Sequence, residues 1–268
     1  MERVLKKFGI KKFLILTLVS IALVLAFANL IGKDIASIVS LTLYFPVTIS
    51  LVTVSVVLSK RFGLKGSHGR AWLLFTVFAI LWFVAERISF YYNLTLGEEL
   101  FPSEADGFWL AGYPFLFVFT MYYLKPMKEM IDKKIILVAL ATSVTVLIST
   151  LYLTYGQNEG ADHFAFVIAI AYPIADSIIL APAIVGMMLF FGGKVNFLWS
   201  LMCIAIVIET IADAGYLVAS LNGSYYQGHI VDTLYLWYYV IFTFAVYHHI
   251  IIFKDHRKDP YKNVEELK

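Results

Sequence analysis

Charged residues and cysteine are scarce in this sequence. Of its 268 residues, 15% are charged, 60% are hydrophobic and 16% are aromatic, whereas soluble domains are about 45–50% apolar. The single cysteine, Cys203, excludes an internal disulfide. We therefore predict an integral membrane protein whose main partner is the lipid bilayer.

The sequence also lacks the signatures of several functions. It contains no nucleotide-binding glycine loop and no plausible nucleophile, base and orienting triad, so we do not expect an enzyme. No predicted span contains the lysine that a retinal Schiff base needs, and no histidine is central enough to bind a haem. The net charge of +2 does not favour a nucleic-acid partner. We expect no cofactor and no bound metal, although His229 with Asp232 and Asp213 forms a partial metal-site pattern.

Eight apolar stretches are long enough to cross a bilayer as helices. A helix needs about 20 apolar residues to do so, and none of the stretches alternates as a barrel strand would. The predicted spans are 13–31, 36–59, 72–93, 106–124, 135–155, 164–191, 197–220 and 229–253. The predicted fold is an all-α, polytopic membrane helix bundle that forms a single domain over residues 1–268, with a short basic tail at 254–268.

Lysine and arginine are unevenly distributed between the two sides of these spans. Nineteen of the 21 lie on the side of both termini, Lys33 lies on the opposite side, and Arg87 lies inside a span. Because cytoplasmic loops carry the excess of these residues, we predict a cell-membrane protein with both termini in the cytoplasm. Residues 1–28 also resemble a signal peptide, but the apolar run continues to Ile31, which favours a retained first helix over cleavage.

Six carboxylates lie inside the predicted spans or at their outer ends. An acid at a helix centre costs about 2.5–3.5 kcal/mol on insertion scales and usually faces the bundle interior, a partner or a water-filled cavity. At about 1.5 Å per residue, all six fall between the outer surface and the midplane. They are Glu86, Asp106, Asp176, Glu209, Asp213 and Asp232.

Tyrosines share helix faces with most of these acids. Residues three, four or seven positions apart lie on one side of a helix. The resulting pairs are Asp106 with Tyr113, Tyr172 with Asp176, Asp213 with Tyr216, and Asp232 with Tyr235. A phenol can donate a hydrogen bond to a carboxylate, and its ring offers an apolar wall or a cation-binding face. If these faces converge, they form an outward-facing pocket for a cation, an amine or another small ligand.

Structural roles for the acids are the alternative. Asp106 and Asp232 each begin a span, where an acid can cap the amino terminus of a helix. Glu86 and its neighbour Arg87 could form an ion pair with other helices. Any of the acids could also serve as an acceptor of hydrogen bonds between helices.

Four short motifs follow one another in the order found in one group of membrane regions. The motifs are Pro102–Pro114 with its PSEAD and YP ends, Tyr172-Pro173-x-x-Asp176, Ala212-Asp213-x-x-Tyr216, and Gly223–Gly228 followed by Asp232 and Trp237. Over residues 70–250 the chain resembles the membrane-embedded input regions that precede diguanylate cyclase and phosphodiesterase domains in many bacterial proteins.

This resemblance implies a polytopic sensory module whose ligand is generally unassigned. Its characteristic positions are Asp106, Tyr113, Tyr172, Asp176, Asp213, Tyr216 and Asp232. The sequence ends soon after the last predicted span, without a cyclase or phosphodiesterase output domain. The resemblance therefore implies a separate cytoplasmic signalling partner.

Two functions are compatible with these patterns. The first is a sensor or ligand-binding module with an outward-facing pocket lined by acids and tyrosines. The second is a proton- or cation-coupled transporter in which Asp176, Glu209 and Asp213 carry the charge. The inner halves of the last three spans are almost wholly apolar, which favours the sensor. The candidate ligand-binding residues are Asp176, Glu209, Asp213, Glu86, Arg87, Asp106, Asp232, Tyr113, Tyr172, Tyr216 and Tyr235, and no catalytic residue is expected.

Overall fold

The computed structural model describes residues 9–63, 66–96, 101–157, 162–191 and 197–256. Of these described residues 92% are helical, and none forms a strand. Parts of the predicted basic segments, at 1–8, 192–196 and 257–268, lie outside the described residues.

Eight long helices follow one another along the described chain. They are α1 (Ile10–Ile31), α2 (Lys33–Phe62), α3 (Gly66–Leu96), α4 (Glu104–Leu124), α5 (Lys133–Gln157), α6 (His163–Phe191), α7 (Phe197–Leu221) and α8 (Val231–His256). A 3-10 segment, Lys125–Met130, continues α4. Each of the eight helices is long and apolar enough to cross a membrane. The predicted all-α bundle of eight spans is confirmed, and it indicates a multi-pass membrane protein.

Most helix boundaries differ from the predicted ones by a few residues, and two of the differences have a clear physical reason. Helix α3 begins at Gly66 rather than at 72, because a helix continues through polar residues that a hydropathy window leaves out. Helix α8 begins at Val231 rather than at 229. The preceding residues form turns, and Gly228 has φ +91°, a left-handed conformation that glycine adopts without steric cost.

Six helices form a closed ring. Helices α2, α3, α4, α6, α7 and α8 pack in this order, and α8 packs against α2. Helix α1 lies outside the ring against α2 and α8, and α5 lies outside it against α6 and α7. All six intramembrane acids belong to ring helices. The ring therefore brings together side chains that are far apart in the sequence.

The two ends of the ring are packed differently. We call the end that carries the 222–230 loop the Gly228 end, and the opposite end, where α3 begins, the His68 end. Large aromatic side chains fill the ring toward the His68 end, and they include Trp72, Phe75, Phe119 and Trp199. At the same end the Nε2 atoms of His68 and His249 are 3.2 Å apart. The functional candidates lie toward the Gly228 end.

Candidate functional site

A cavity of about 340 Å³ lies inside the ring toward the Gly228 end. Pockets of about 300–1,000 Å³ are typical for small ligands. Ten of the eleven predicted site residues line it, and they are Glu86, Arg87, Asp106, Tyr113, Tyr172, Asp176, Glu209, Asp213, Tyr216 and Tyr235. Asp232 does not. The ring thus assembles most of the predicted residues around one space.

Three carboxylates meet in the middle of the ring. Asp176 lies on α6, and Glu209 and Asp213 lie on successive turns of α7. One oxygen of each carboxylate lies within 4.8 Å of the other two. Asp176 and Glu209 are 5% and 2% exposed, and Asp213 is half-buried. We call these three residues the acidic triad.

The hydroxyl of Tyr113, which reaches across from α4, joins the acidic triad. It lies 2.6 Å from Asp176 Oδ1, 2.8 Å from Glu209 Oε1 and 3.3 Å from Asp213 Oδ2. A tyrosine hydroxyl has a single hydrogen to donate. Tyr235 donates a further hydrogen bond of 2.6 Å to Asp213 Oδ1. The other oxygen of Glu209, Oε2, is buried and has no hydrogen-bond partner among the described residues. The triad therefore has more acceptor oxygens than hydrogens donated to them.

The acidic triad costs free energy when all three carboxylates are ionised, because their charges repel one another. Two like charges 4 Å apart repel by about 4 kcal/mol at an effective dielectric constant of 20. A proton or a cation that enters the triad reduces this repulsion, and a cation also binds the unpartnered oxygen. The chemistry that the triad supports best is therefore the binding of positive charge.

Asp106 has a structural role at the start of α4. Its Oδ2 accepts the backbone N–H of Ser103 at 2.7 Å, and the Ser103 side chain accepts the N–H of Ala105, which completes a capping box. Its Oδ1 accepts a hydrogen bond of 2.7 Å from the hydroxyl of Tyr172 on α6. Asp106 therefore caps one helix and joins it to the next, while its side chain forms part of the cavity wall.

Asp232 fixes the 222–230 loop. Its fully buried carboxylate accepts hydrogen bonds from the Gly228 backbone N–H at 2.7 Å and from the Ser40 hydroxyl of α2 at 2.8 Å. Tyr225 and Gln227 also donate to it, each at 3.2 Å. These donors occupy both oxygens and leave Asp232 outside the cavity wall. Asp232 therefore anchors the loop, and its donors are neither those of a ligand site nor the first N–H groups of α8 that an amino-terminal cap would accept.

Glu86 and Arg87 are neighbours with different surroundings. Glu86 Oε1 accepts a hydrogen bond of 2.9 Å from Tyr239 of α8. The guanidinium of Arg87 lies 5.2–5.5 Å from the ring centroids of Phe45, Phe83 and Phe90, and its buried Nε and Nη2 make no hydrogen bond within the described chain. Aromatic rings stabilise this cation, so the geometry offers no support for the ion pair considered from the sequence.

The cavity also contains residues that the sequence did not single out. Tyr44 of α2 lines it, with its ring 6.5 Å from that of Tyr239 in an edge-on arrangement. Tyr225 and Gln227 line it from the loop, and the ring of Tyr225 lies 4.5 Å from that of Tyr216. Helix α2 carries no acid in its apolar part, so a search that starts from acids passes over Tyr44. The signal available in the sequence was its position four residues after Ser40, another polar residue in an apolar stretch.

His229 belongs to the loop and not to a metal site. Its Nδ1 accepts the Val231 N–H at 3.3 Å. Partial burial lowers the pKa of His229, and the positive charge of Lys33 lowers it further. Within the described chain, the group of possible metal ligands that comes together is the acidic triad. The pattern of His229, Asp232 and Asp213 is therefore not assembled.

Comparisons with known proteins add no relative. No family model matches the chain, and neither a curated protein nor a solved structure matches it.

Proposed function

We propose that this chain is a membrane sensor or ligand-binding module whose cavity takes up a small, positively charged ligand. The observation that carries the proposal is the acidic triad, with Tyr113 in contact with all three carboxylates. A cation or an ammonium group would offset the repulsion between the carboxylates. Aromatic walls such as Trp82 and Trp109 add surfaces that attract cations.

The distribution of Lys and Arg supports a location in the cell membrane with both termini in the cytoplasm. The Gly228 end and its cavity would then face outward. Single-cysteine labelling tests this orientation, and the native Cys203 is fully buried. Asn222→Cys should react with a membrane-impermeant maleimide on intact cells, whereas Lys128→Cys should react only after permeabilisation. The reverse pattern would contradict the proposed orientation.

The packing of the ring supports binding over transport. A transport route through the centre would need polar groups along the half of the ring toward the His68 end. Aromatic side chains such as Trp72, Phe75 and Phe119 fill most of that half, and the pair His68 and His249 lies at the end far from the cavity. Ligand binding would instead favour one arrangement of the helices over another. This change would reach a cytoplasmic partner, as the resemblance to bacterial sensory input regions implies.

Ligand-induced stabilisation of the purified chain tests the proposed function. Amines and inorganic cations are screened for an increase in unfolding temperature, since a ligand at one hundred times its Kd stabilises by about 2.7 kcal/mol. Asp176→Asn and Asp213→Asn should remove the increase. Asp34→Asn, the same change at an exposed position outside the cavity, should retain it. Cation stabilisation that survives both triad substitutions would refute the proposal, and cation flux into liposomes that depends on Asp176 would favour the transporter.

A further inference from the structure

We propose that Asp176, Glu209 and Asp213 bind a divalent, oxygen-preferring metal cation directly, with the Tyr113 hydroxyl beside it. This inference rests on the proposed function, because it names the class of ligand that the same triad takes. It goes further in specifying a bare metal ion rather than an organic amine.

The spacing of the oxygen atoms fits direct coordination. Ca²⁺ binds oxygen at about 2.3–2.6 Å, so ligands on opposite sides of the ion are about 4.6–5.2 Å apart. One oxygen from each triad carboxylate lies within 4.8 Å of the other two. The Tyr113 oxygen is 2.6–3.3 Å from an oxygen of each carboxylate, so it can supply a neutral ligand or orient the charged ones. Carboxylate and phenol oxygens are hard ligands, which suit Ca²⁺, Mg²⁺ and Mn²⁺.

The second oxygen of Glu209 points independently to ligand binding at the triad. Glu209 is 2% exposed, and its Oε2 is buried without a hydrogen-bond partner among the described residues. A buried carboxylate oxygen without a partner costs free energy. Its burial favours a small ligand, and a metal ion is the smallest cation that could reach it. A metal ion satisfies this oxygen without displacing Tyr113 from the other one.

The charges around the triad favour a divalent ion over a monovalent one. Three ionised carboxylates carry a charge of −3. Among the described residues, the hydroxyls that donate to these carboxylates are those of Tyr113 and Tyr235, and both are neutral. Among the described residues that line the cavity, Arg87 is the basic one, and it lies among three phenylalanine rings. A divalent ion attracts each carboxylate twice as strongly as a monovalent ion at the same distance, and with one retained proton it leaves the triad neutral.

Mn²⁺ binding to the full chain tests the proposal. The chain is purified in detergent, treated with EDTA and titrated with Mn²⁺, and free Mn²⁺ is measured by electron paramagnetic resonance. Wild type should bind one Mn²⁺ per chain, and Ca²⁺ should compete for the site. Glu209→Gln should weaken binding at least about tenfold, because even indirect partners of metal ligands contribute about 10–100-fold. Glu129→Gln, the same change at an exposed position outside the cavity, should bind as wild type does.

The outcomes separate this proposal from the one on which it rests. If organic amines stabilise the chain through the triad while Mn²⁺ and Ca²⁺ do not bind, the metal proposal is wrong and the proposed function stands. If neither amines nor metal ions bind, both are wrong. Unchanged Mn²⁺ affinity in Glu209→Gln also overturns the metal proposal. Asp213→Asn provides a second triad variant if Glu209→Gln does not fold, and unfolding curves establish that each variant is folded.

Discussion

Helices α4 and α8 carry the same pair of residues at the same spacing. Each has an aspartate in its first turn, seven positions before a tyrosine. The pairs are Asp106 and Tyr113 on α4, and Asp232 and Tyr239 on α8. Each aspartate accepts a hydrogen bond from a hydroxyl on the adjacent ring helix. Each tyrosine donates a hydrogen bond to a glutamate on a helix across the ring. The ring consists of two sets of three helices, α2, α3, α4 and then α6, α7, α8, and each of the two tyrosines lies on the last helix of its set. The two halves of the ring therefore share one arrangement of polar contacts.

The acids that the two tyrosines meet are different. The hydroxyl of Tyr113 contacts three carboxylates on α6 and α7. Among the described residues, the hydroxyl of Tyr239 bonds to one carboxylate, that of Glu86. The residue after Glu86 is Arg87, a cation held among aromatic rings. A shared framework thus concentrates negative charge on one side of the cavity. The comparison supports the proposal that the ligand binds on the α6–α7 side and that the α3 side completes the cavity wall.

The largest loss of stability is expected for a substitution in the 222–230 loop, which precedes α8 and packs on α2. An added Cβ at Gly228 would lie 2.4 Å from the backbone carbon of Ala36, at a φ of +91°. Gly228→Ala should lower the free energy of unfolding by about 3 kcal/mol or more, as the sum of left-handed strain and overpacking. Gly223→Ala, at φ +61° with open space around it, should cost about 1 kcal/mol of strain alone. Equal unfolding temperatures for the two variants would show that the loop is not docked on α2.

The two aspartates should differ in their structural importance. Asp232 accepts from four residues, whereas Asp106 accepts from Ser103 and Tyr172. Asp232→Ala should cost about 3 kcal/mol and Asp106→Ala about half of that, since each buried donor left without a partner loses about 1–3 kcal/mol before relaxation. Chemical unfolding in detergent measures both. A greater loss of unfolding free energy in Asp106→Ala than in Asp232→Ala would show that Asp106 contributes more to stability.

The two tyrosines should differ in function more than in stability. Tyr113→Phe and Tyr239→Phe each remove one hydroxyl and should each cost about 1 kcal/mol. The response to added cations should change only in Tyr113→Phe, because its hydroxyl contacts the acidic triad. A cation titration followed by thermal unfolding distinguishes the two variants. A changed response in Tyr239→Phe alone would move the binding site to the α3 side.

A smaller effect is expected outside the ring. Asn29 of α1 donates to the Gly228 carbonyl at 2.8 Å and accepts from Tyr226. Asn29→Ala should cost about 1 kcal/mol, whereas Asn93→Ala, which loses a bond to Ser89 within its own helix, should cost less. A retained first helix stays a prediction from the apolar run that continues to Ile31. Mass spectrometry of the purified chain that shows loss of residues 1–28 would contradict it.

The sequence predicts the helices well and their neighbours poorly. The eight spans follow from composition, because each stretch is apolar and long enough to cross a bilayer. The order of helices in the ring does not, since spacing shows which side chains share a face and not which helix that face meets. Tyr113 was paired with Asp106 on α4, yet its hydroxyl contacts acids of α6 and α7. Asp232 was predicted to line the pocket, but three of its four donors come from a loop whose turns depend on tertiary contacts, and the fourth is Ser40 of α2.

The most direct test of the account compares the two sides of the cavity with one chemical change. Glu209→Gln alters the acidic triad, and Glu86→Gln alters the α3 side. We predict that methylammonium or Ca²⁺ raises the unfolding temperature of wild type and of Glu86→Gln, and leaves that of Glu209→Gln unchanged. Equal increases in all three proteins, or loss of the increase in Glu86→Gln alone, would contradict the assignment of the ligand site to the acidic triad.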